Sequence, residues 1–341
     1  MFFNKSAPRT INLALQGGGA HGAFTWGVLD ALLEDGRLRF DGISGTSAGA
    51  MNAVVLAHGL LEGGRDGARK ALRDFWTAVA ASMPAELTVA SSDGKTVRLA
   101  PMARMMLQWA HYFAPTQINP FDLNPLRDIV TAQIDFARLR ARGPVRLFVA
   151  ATHANSGKLR LFRETEVSAD ALLASACLPT MHRAIEIDGE PYWDGGYCAN
   201  PAVFPLFYDC DASDILLVLL TPLKHVETPS TAHDIHTRVL EIAFNATFLR
   251  EMRMFAHVRE RVGRARWLMG PLERRAVQAN FHVIEAEDVI AELSAETKLA
   301  AHLGFFGMLA ELGRNRAHAW LQAHHAALGR RSTVDLEQLF Y

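Results

Sequence analysis

Short apolar runs alternate with stretches of helical periodicity through the first two thirds of the chain. The first two runs, Ile11–Leu15 and Phe40–Ser44, have the length of strands, and a glycine-rich turn follows each of them. The predicted strands are Ile11–Leu15, Phe40–Ser44, Val145–Thr152, Leu159–Arg163, Ile185–Ile187, Glu190–Tyr192 and Asp214–Leu220. The predicted helices among them are Ala23–Glu34, Ala48–His58, Arg65–Ala80 and Ala169–Ser175. Strands that are separated by helices in this way predict an α/β fold with a partly parallel sheet.

The last third of the chain, from about Thr228, is predicted to be mostly helical. Its apolar residues recur at helical spacing in three stretches, Ile235–Val262, Ala286–Leu312 and Arg314–Leu328. This change of pattern indicates a helical extension that follows the α/β region.

One segment in the first half is rich in methionine and aromatic residues. At helical spacing it carries Met102, Met105, Met106, Trp109, Tyr112 and Phe113. The simpler interpretation is a helix that belongs to the core, and we favour it here. The alternative is an adaptable apolar cover over a lipid site, for which methionine and aromatic side chains are suited.

Composition and charge exclude several classes of protein. Half of the residues are hydrophobic and 21% are charged, which is typical of a folded globular chain. The formal net charge of −1 argues against a nucleic-acid-binding protein. Three scattered cysteines predict neither a disulfide framework nor a metal site. No signal peptide or membrane-spanning run is apparent, so we expect a cytoplasmic protein.

The charge is not evenly distributed, because Arg250–Arg275 holds eight arginines against three glutamates. This basic stretch overlaps a predicted helix that is rich in phenylalanine and methionine. A helix with a solvated basic face is the favoured interpretation. The alternative is a peripheral contact with anionic membrane lipids.

The strongest local motif is Gly45-Thr46-Ser47-Ala48-Gly49, which follows a predicted strand and opens a predicted helix. This is the context that a nucleophile elbow requires, since Ser47 would lie on a sharp turn at the start of the helix. Gly45 and Gly49 would leave room for neighbouring elements at that turn. A glycine- and serine-rich turn without chemistry has the same pattern.

A second motif, Gln16-Gly17-Gly18-Gly19-Ala20-His21-Gly22, also lies between a strand and a helix. Such a glycine loop can present consecutive backbone N–H groups to an anion. The anion could be the pyrophosphate of a dinucleotide or the oxyanion of an acyl-transfer intermediate. The elbow of Ser47 occupies the position where a ribose-binding acid would be expected, and Asp41 starts its strand rather than ending it. The two adjacent motifs therefore favour acyl transfer over hydride transfer.

A third motif, Asp194-Gly195-Gly196, follows a predicted hairpin with the turn Asp188-Gly189. A serine nucleophile needs a base, and Asp194 lies at the end of a strand. A Ser-His-Asp triad would also need a histidine after the acid. The histidines there fall within helical patterns, where a surface or interface role is expected.

These three motifs, in this order, resemble those of the patatin-like phospholipase family. The stretch Ala174-Ser175-Ala176-Cys177-Leu178-Pro179 and the later Asn200-Pro201 are similar to that family's sequence on either side of its catalytic aspartate. The resemblance covers roughly residues 10–210. It implies a three-layer sandwich with a central, partly parallel sheet over residues 10–225, followed by a helical C-terminal extension over residues 226–341.

The resemblance also implies a catalytic Ser-Asp dyad without metal or cofactor. Ser47 would be the nucleophile and Asp194 its base, and Gly17, Gly18, Gly19 and Ala20 would form the oxyanion hole. His21, Gly22, Gly45, Gly49, Gly195 and Gly196 would support these motifs. The family often has Lys or Arg where this chain has His21, and a neutral imidazole would leave the backbone donors to act alone.

The function implied is hydrolysis of lipid esters, of phospholipase A or lysophospholipase type, through an acyl-enzyme. An acyltransferase or a thioesterase would use the same dyad. A dinucleotide-binding oxidoreductase that uses Gly17–Gly22 is a further alternative.

Overall fold

The computed structural model describes residues 8–91, 97–110, 112–224, 228–263 and 270–341. Its strands are β1 Arg9–Leu15, β2 Leu38–Thr46, β3 Thr88–Ala90, β4 Val97–Leu99, β5 Arg146–His153, β6 Leu159–Arg163, β7 Ile185–Ile187, β8 Glu190–Asp194, β9 Asp214–Val218 and β10 Asn280–Ile284. Its α-helices are α1 Gly22–Asp35, α2 Ala48–Ala81, α3 Pro101–Ala110, α4 Pro115–Ile118, α5 Pro125–Gln133, α6 Phe136–Arg142, α7 Ala169–Ser175, α8 Phe204–Asp209, α9 Ala232–Gly263, α10 Pro271–Gln278, α11 Glu287–Ile290, α12 Leu303–His324 and α13 Leu336–Phe340.

Five parallel strands form the centre of the main sheet, in the order β10-β9-β1-β2-β5. β6 pairs antiparallel with β5, and the hairpin β7-β8 also joins through β5. The predicted α/β class with a partly parallel sheet is therefore confirmed. β3 and β4 form a separate two-stranded hairpin.

Two strands run toward each other along one edge of β5. β2 is parallel to β5 and ends with Thr46 opposite Ala150, whereas β8 is antiparallel and ends with Asp194 opposite Ala151. β6 pairs with residues 148–152 of β5, so it occupies the other edge. The register of β5 thus brings the end of β2 and the end of β8 next to each other.

Helices cover both faces of the sheet and complete three layers. One core packs α1, α2 and α12 against the sheet, with Phe24, Phe75 and Phe305 fully or almost fully buried. The other core packs α8, α9 and α13 against the opposite face. α2 contains a break at Gly63 and Gly64, where the backbone leaves the helical region, so two consecutive helices are present as the sequence indicated.

The C-terminal region contributes to the sheet as well as to the helical layers. The predicted helix Ala286–Leu312 is wrong, because the chain forms the short α11, an irregular stretch and then α12, which begins at Leu303. The strand β10, which extends the parallel sheet beside β9, was not predicted. The division at residues 225 and 226 stays a prediction.

The methionine- and aromatic-rich segment does not lie in the core. Met102, Met106 and Trp109 of α3 are each more than 60% exposed, as is Tyr112 beyond it. The core interpretation of this segment is therefore wrong. Among the described residues, no helix combines the length and the apolar character needed to cross a bilayer.

Candidate active site

Ser47 occupies the sharp turn between β2 and α2. Its backbone has φ 54° and ψ −122°, a conformation that L-residues rarely adopt and that is expected of a nucleophile elbow. A Cβ atom at Gly45 would lie 2.6 Å from the carbonyl carbon of Gly49, and one at Gly49 would lie 2.1 Å from the carbonyl oxygen of Leu15. Glycine is required at both positions because backbone approaches so closely there.

Asp194 ends β8 at the point where that strand meets β2. Its backbone is fixed on both sides, since its N–H donates to the Cys177 carbonyl at 2.8 Å and its carbonyl accepts from the Thr152 hydroxyl at 2.8 Å. The carboxylate Oδ1 accepts from the Gly196 N–H at 2.7 Å. A Cβ atom at Gly195 would collide with the Ala150 carbonyl oxygen at 2.2 Å, so β8 can turn away from β5 only through glycine.

Asp194 is 2% exposed, and this environment makes its carboxylate a stronger base than that of an ordinary aspartate. Burial raises its pKa to about 7 against the opposing effects of the Gly196 N–H and the Ser47 side chain, which lower it. A pKa near neutrality is the value at which a general base works best at physiological pH. The structure thus brings the two predicted dyad residues, Ser47 and Asp194, into interaction.

The glycine loop, residues 17–22, lies directly beside Ser47. A Cβ atom at Gly17 would be 2.9 Å from the Ser47 Cβ, and the Gly17 N–H donates to Asn200 Oδ1 at 2.7 Å. The Gly17 amide is therefore not free to bind an oxyanion, contrary to the prediction that it belongs to that hole, and Gly17 serves the turn instead. Within the described part of the chain, the amides of Gly18, Gly19 and Ala20 donate to no protein acceptor.

A short turn of the C-terminal region, Ala295–Leu299, covers the glycine loop, and we call it the bridging turn. Gly19 has φ 58°, and a Cβ atom there would lie 2.2 Å from the Lys298 carbonyl oxygen. Both the backbone conformation and this close approach require glycine at position 19.

His21 connects the glycine loop to the bridging turn. Its Nε2 and the Thr297 hydroxyl are 2.7 Å apart, whereas its Nδ1 has no hydrogen-bond partner among the described residues. Burial, assisted by the charge of Lys298, lowers the pKa of His21 to about 3. The imidazole is neutral at pH 7, so its role is to hold the loop. Gly22 follows it, where a Cβ atom would lie 2.6 Å from the Ala48 Cβ.

Two buried side chains that support the site were not assigned a role from the sequence. Ser175 accepts the Ser47 N–H on its hydroxyl at 2.9 Å and so holds the elbow. Gln16 accepts from the Leu220 and Thr221 N–H groups and donates to Asn245 Oδ1 at 2.9 Å, which fixes the start of the glycine loop. The signal for both was their position, within the Ala174–Pro179 stretch and immediately before the glycine loop.

Other predicted features lie away from these motifs. In the basic stretch, Arg253 donates to the Phe340 carbonyl and Arg259 to the Ala279 carbonyl, so both have intramolecular partners. Residues 264–269 of this stretch lie outside the described residues.

In the part of the chain that the structure describes, no group of three or more His, Cys, Asp or Glu side chains is placed to hold a metal ion.

Comparison with known proteins places these motifs in a family. The sequence model of the patatin-like phospholipases matches residues 13–207, which contain the glycine loop, Ser47 and Asp194. The chain belongs to the patatin-like phospholipase family. Membership places this patatin-like protein among lipid hydrolases at the level of the family.

Solved structures similar to this patatin-like protein include two bacterial proteins. VipD from Legionella pneumophila is 16% identical with a TM-score of 0.46, over 98% of this chain and 73% of its own. ExoU from Pseudomonas aeruginosa, solved in complex with SpcU, is 17% identical with a TM-score of 0.30, over 98% of this chain and 75% of its own. A search of curated proteins gives no significant match.

Proposed function

We propose that this protein hydrolyses acyl esters of lipids, as a phospholipase A or lysophospholipase, through a dyad of Ser47 and Asp194. The observation that carries the proposal is the meeting of β2 and β8 along β5, which puts the elbow serine beside a buried carboxylate. The amides of Gly18 and Gly19, which donate to no acceptor among the described residues, lie on the loop next to that serine.

In the proposed reaction, Asp194 accepts the hydroxyl proton of Ser47 as Oγ attacks the ester carbonyl carbon. The negative charge that develops on the carbonyl oxygen is stabilised by the amides of Gly18 and Gly19, with Ala20 as a further donor. Collapse of the tetrahedral intermediate breaks the ester bond, and Asp194 returns the proton to the leaving alcohol. Water activated by Asp194 then attacks the acyl-enzyme, releases the fatty acid and restores Ser47.

The oxidoreductase alternative is disfavoured because its candidate acid, Asp41, is engaged away from the glycine loop. The Asp41 carboxylate accepts from the Ala212 N–H at 2.9 Å and pairs with Arg146 at 3.1 Å, at the amino ends of β2 and β5. The glycine loop follows the carboxyl end of β1, at the opposite edge of the sheet. An acyltransferase or a thioesterase would share the dyad, and products distinguish them from a lipid hydrolase.

The test is turnover of a soluble chromogenic ester and release of fatty acid from phospholipid, with products identified by mass spectrometry. We expect Ser47→Ala and Asp194→Asn to lower kcat/KM by about 10³-fold or more. Ser82→Ala, at the other end of α2, is the matched control and should retain wild-type turnover. Undiminished hydrolysis by either dyad variant would contradict the mechanism, and transfer of the acyl group to an alcohol in preference to water would favour the acyltransferase.

A further inference from the structure

Large apolar side chains are exposed to solvent along α3 and the segment that leads from it to α5. Each of these side chains is between 46% and 84% exposed. We call this set the apolar rim, and it consists of Met102, Met105, Met106, Trp109, Tyr112, Phe113, Ile118, Phe121 and Leu123. Exposed apolar side chains that are this concentrated are characteristic of interaction sites.

One end of the apolar rim is connected to the cover of the glycine loop. Arg104 of α3 forms an ion pair with Glu296 at 3.0 Å, and Glu296 belongs to the bridging turn. The next residues of that turn, Thr297 and Lys298, contact His21 and approach Gly19. α3 is therefore connected, through the bridging turn, to the loop that we propose as the oxyanion hole.

The other end of the apolar rim lies near Asp194. Arg183 donates to the Pro120 carbonyl at 2.9 Å, immediately before Phe121. The Cys177 thiol donates to the carbonyl of the same Arg183 at 3.0 Å. Cys177 in turn accepts the Asp194 N–H on its carbonyl. The segment that carries the rim is thus connected to the bridging turn at one end and, through Arg183 and Cys177, to the backbone of Asp194 at the other.

A second exposed apolar strip borders the site from α9. It consists of Ile235, Val239, Leu240 and Ile242. Within the same part of α9, Glu241 forms an ion pair with Lys298 of the bridging turn at 3.4 Å, and Phe244 lies against Gly196. Exposed apolar surface therefore lies on both sides of the bridging turn.

We propose that the apolar rim docks this protein on the surface of a lipid bilayer, with its residues inserted at the boundary between headgroups and acyl chains. The proposal rests on the proposed function, since a site for lipid esters must obtain its substrate from such a phase. Between residues 102 and 123 the sequence holds only two residues of the Asp, Glu, Lys and Arg types, Arg104 and Asp122. Tryptophan and tyrosine favour the membrane interface, and flexible methionine adapts to an irregular apolar partner.

The charges at the margin of the apolar rim are complementary to lipid headgroups. Arg98 and Arg183 are exposed there and suit the phosphate groups of phospholipids. Because apolar insertion dominates, binding should persist at high salt and on zwitterionic lipid. Binding through the basic stretch Arg250–Arg275 would instead require anionic lipid and would be lost at high salt.

The test is co-flotation with phosphatidylcholine vesicles, with and without phosphatidylglycerol, at low and high salt. All chains carry Ser47→Ala so that the vesicles stay intact. The rim variants are Phe121→Asp with Leu123→Asp, and Met102→Asp with Met106→Asp. Tyr208→Asp is the matched control, because Tyr208 is 55% exposed on α8, near the amino ends of β2 and β5 and away from the site. The unfolding temperature of each chain shows whether it is folded.

We expect each folded rim pair to lower the vesicle partition coefficient about tenfold or more, with the control unchanged. The proposal would be overturned if both folded rim pairs bound vesicles as well as the Ser47→Ala chain with its native rim, or if that chain did not bind vesicles at all. It would also be overturned if binding were lost at high salt, or if Tyr208→Asp lowered vesicle binding as much as the rim pairs do. A dimer that the rim variants dissociate, with vesicle binding intact, would assign the surface to a second copy of the chain. Turnover of a soluble ester by the chain with native Ser47 tests the proposed function separately.

Discussion

At the scale of single residues, the buried carboxyl of Asp194 carries the proposed chemistry. Its pKa is raised to about 7 chiefly by burial, and the hydrogen bonds to the charged form only partly oppose that effect. A base must be deprotonated to act, so activity should require pH values near or above this pKa.

We therefore expect kcat/KM for a soluble ester to rise about tenfold per pH unit below pH 7 and to level off above it. Glu251 is the matched control, because burial also raises the pKa of this carboxyl to about 7 while it accepts the Val203 N–H outside the dyad. Glu251→Gln should leave the midpoint of the pH profile in place. A profile that is flat from pH 5 to 8, or a midpoint that Glu251→Gln abolishes, would contradict the assignment.

Gly19 offers a test of the glycine loop. Its φ of 58° and the nearby Lys298 carbonyl oxygen mean that Gly19→Ala must displace the loop or the bridging turn. We expect kcat to fall about 10²–10³-fold, which is the effect of losing an oxyanion donor. Gly189→Ala is the control for backbone strain alone, since Gly189 has φ 79° and an added Cβ meets no described atom within 4 Å. If Gly19→Ala and Gly189→Ala had the same kcat, the glycine loop would not act as the oxyanion hole.

Local motifs could be predicted from the sequence because their glycines are required by contacts with adjacent elements. Gly45 and Gly49 show this, since Gly45 approaches backbone of the elbow itself and Gly49 approaches the end of the neighbouring strand β1. The contacts of Ser175 and Gln16 could not be predicted, because their partners lie more than 100 positions away in the chain.

At the scale of elements, the bridging turn is the contact through which the C-terminal region reaches the site. Thr297→Val keeps the side-chain volume but leaves the buried imidazole of His21 without a partner among the described residues. We expect a loss of about 1–3 kcal/mol in the free energy of unfolding and, because the glycine loop loses its support, a lower kcat.

The control for Thr297→Val is Thr333→Val, which removes a similar but only partly buried contact, with His282 Nδ1 at 3.0 Å. His282 keeps its second partner, Asp214, at 2.9 Å. This variant should lose stability by a smaller amount and retain kcat. If both variants keep wild-type kcat, the bridging turn has a structural role only.

Two glycines of α12 test how closely this helix packs on α1. A Cβ atom at Gly313 would lie 2.1 Å from the Phe24 carbonyl oxygen, whereas one at Gly307 meets no described atom within 4 Å. We expect Gly313→Ala to lower the free energy of unfolding by about 1–3 kcal/mol because the helices must separate. Gly307→Ala should raise it by up to about 1 kcal/mol through helix propensity. Urea unfolding measures the free energy of unfolding of both variants. If Gly313→Ala and Gly307→Ala changed it by the same amount, the close packing of α12 on α1 would be refuted.

Elements could be predicted where a periodic pattern agreed with the tertiary environment. β10 was not predicted because its five residues follow a long helical region. They form a strand because they pair with β9, a contact that the local pattern does not show. α12 begins at Leu303 because the His302 side chain accepts the Phe305 N–H there, a cap that the apolar periodicity of Ala286–Leu312 concealed. α3 has the apolar spacing of a core helix, and periodicity alone does not show whether another element covers that face.

At the scale of the whole molecule, the site depends on the sheet and on both parts of the chain. The sheet brings Ser47 and Asp194 together through the register of β5, although 147 positions separate them. The C-terminal region adds β10 to the sheet and the bridging turn to the glycine loop. The family match ends at residue 207, so these contributions lie beyond the matched region.

The proposed reaction requires that Ser47 becomes covalently acylated, with Asp194 as its base. The most direct measurement is the rate and position of labelling by a fluorophosphonate, followed by mass spectrometry of the intact chain and its peptides. We expect one adduct on the peptide that contains Ser47, none in Ser47→Ala, and labelling slowed at least about 10³-fold in Asp194→Asn. Labelling at another residue, or an Asp194→Asn chain that reacts at the wild-type rate, would contradict it.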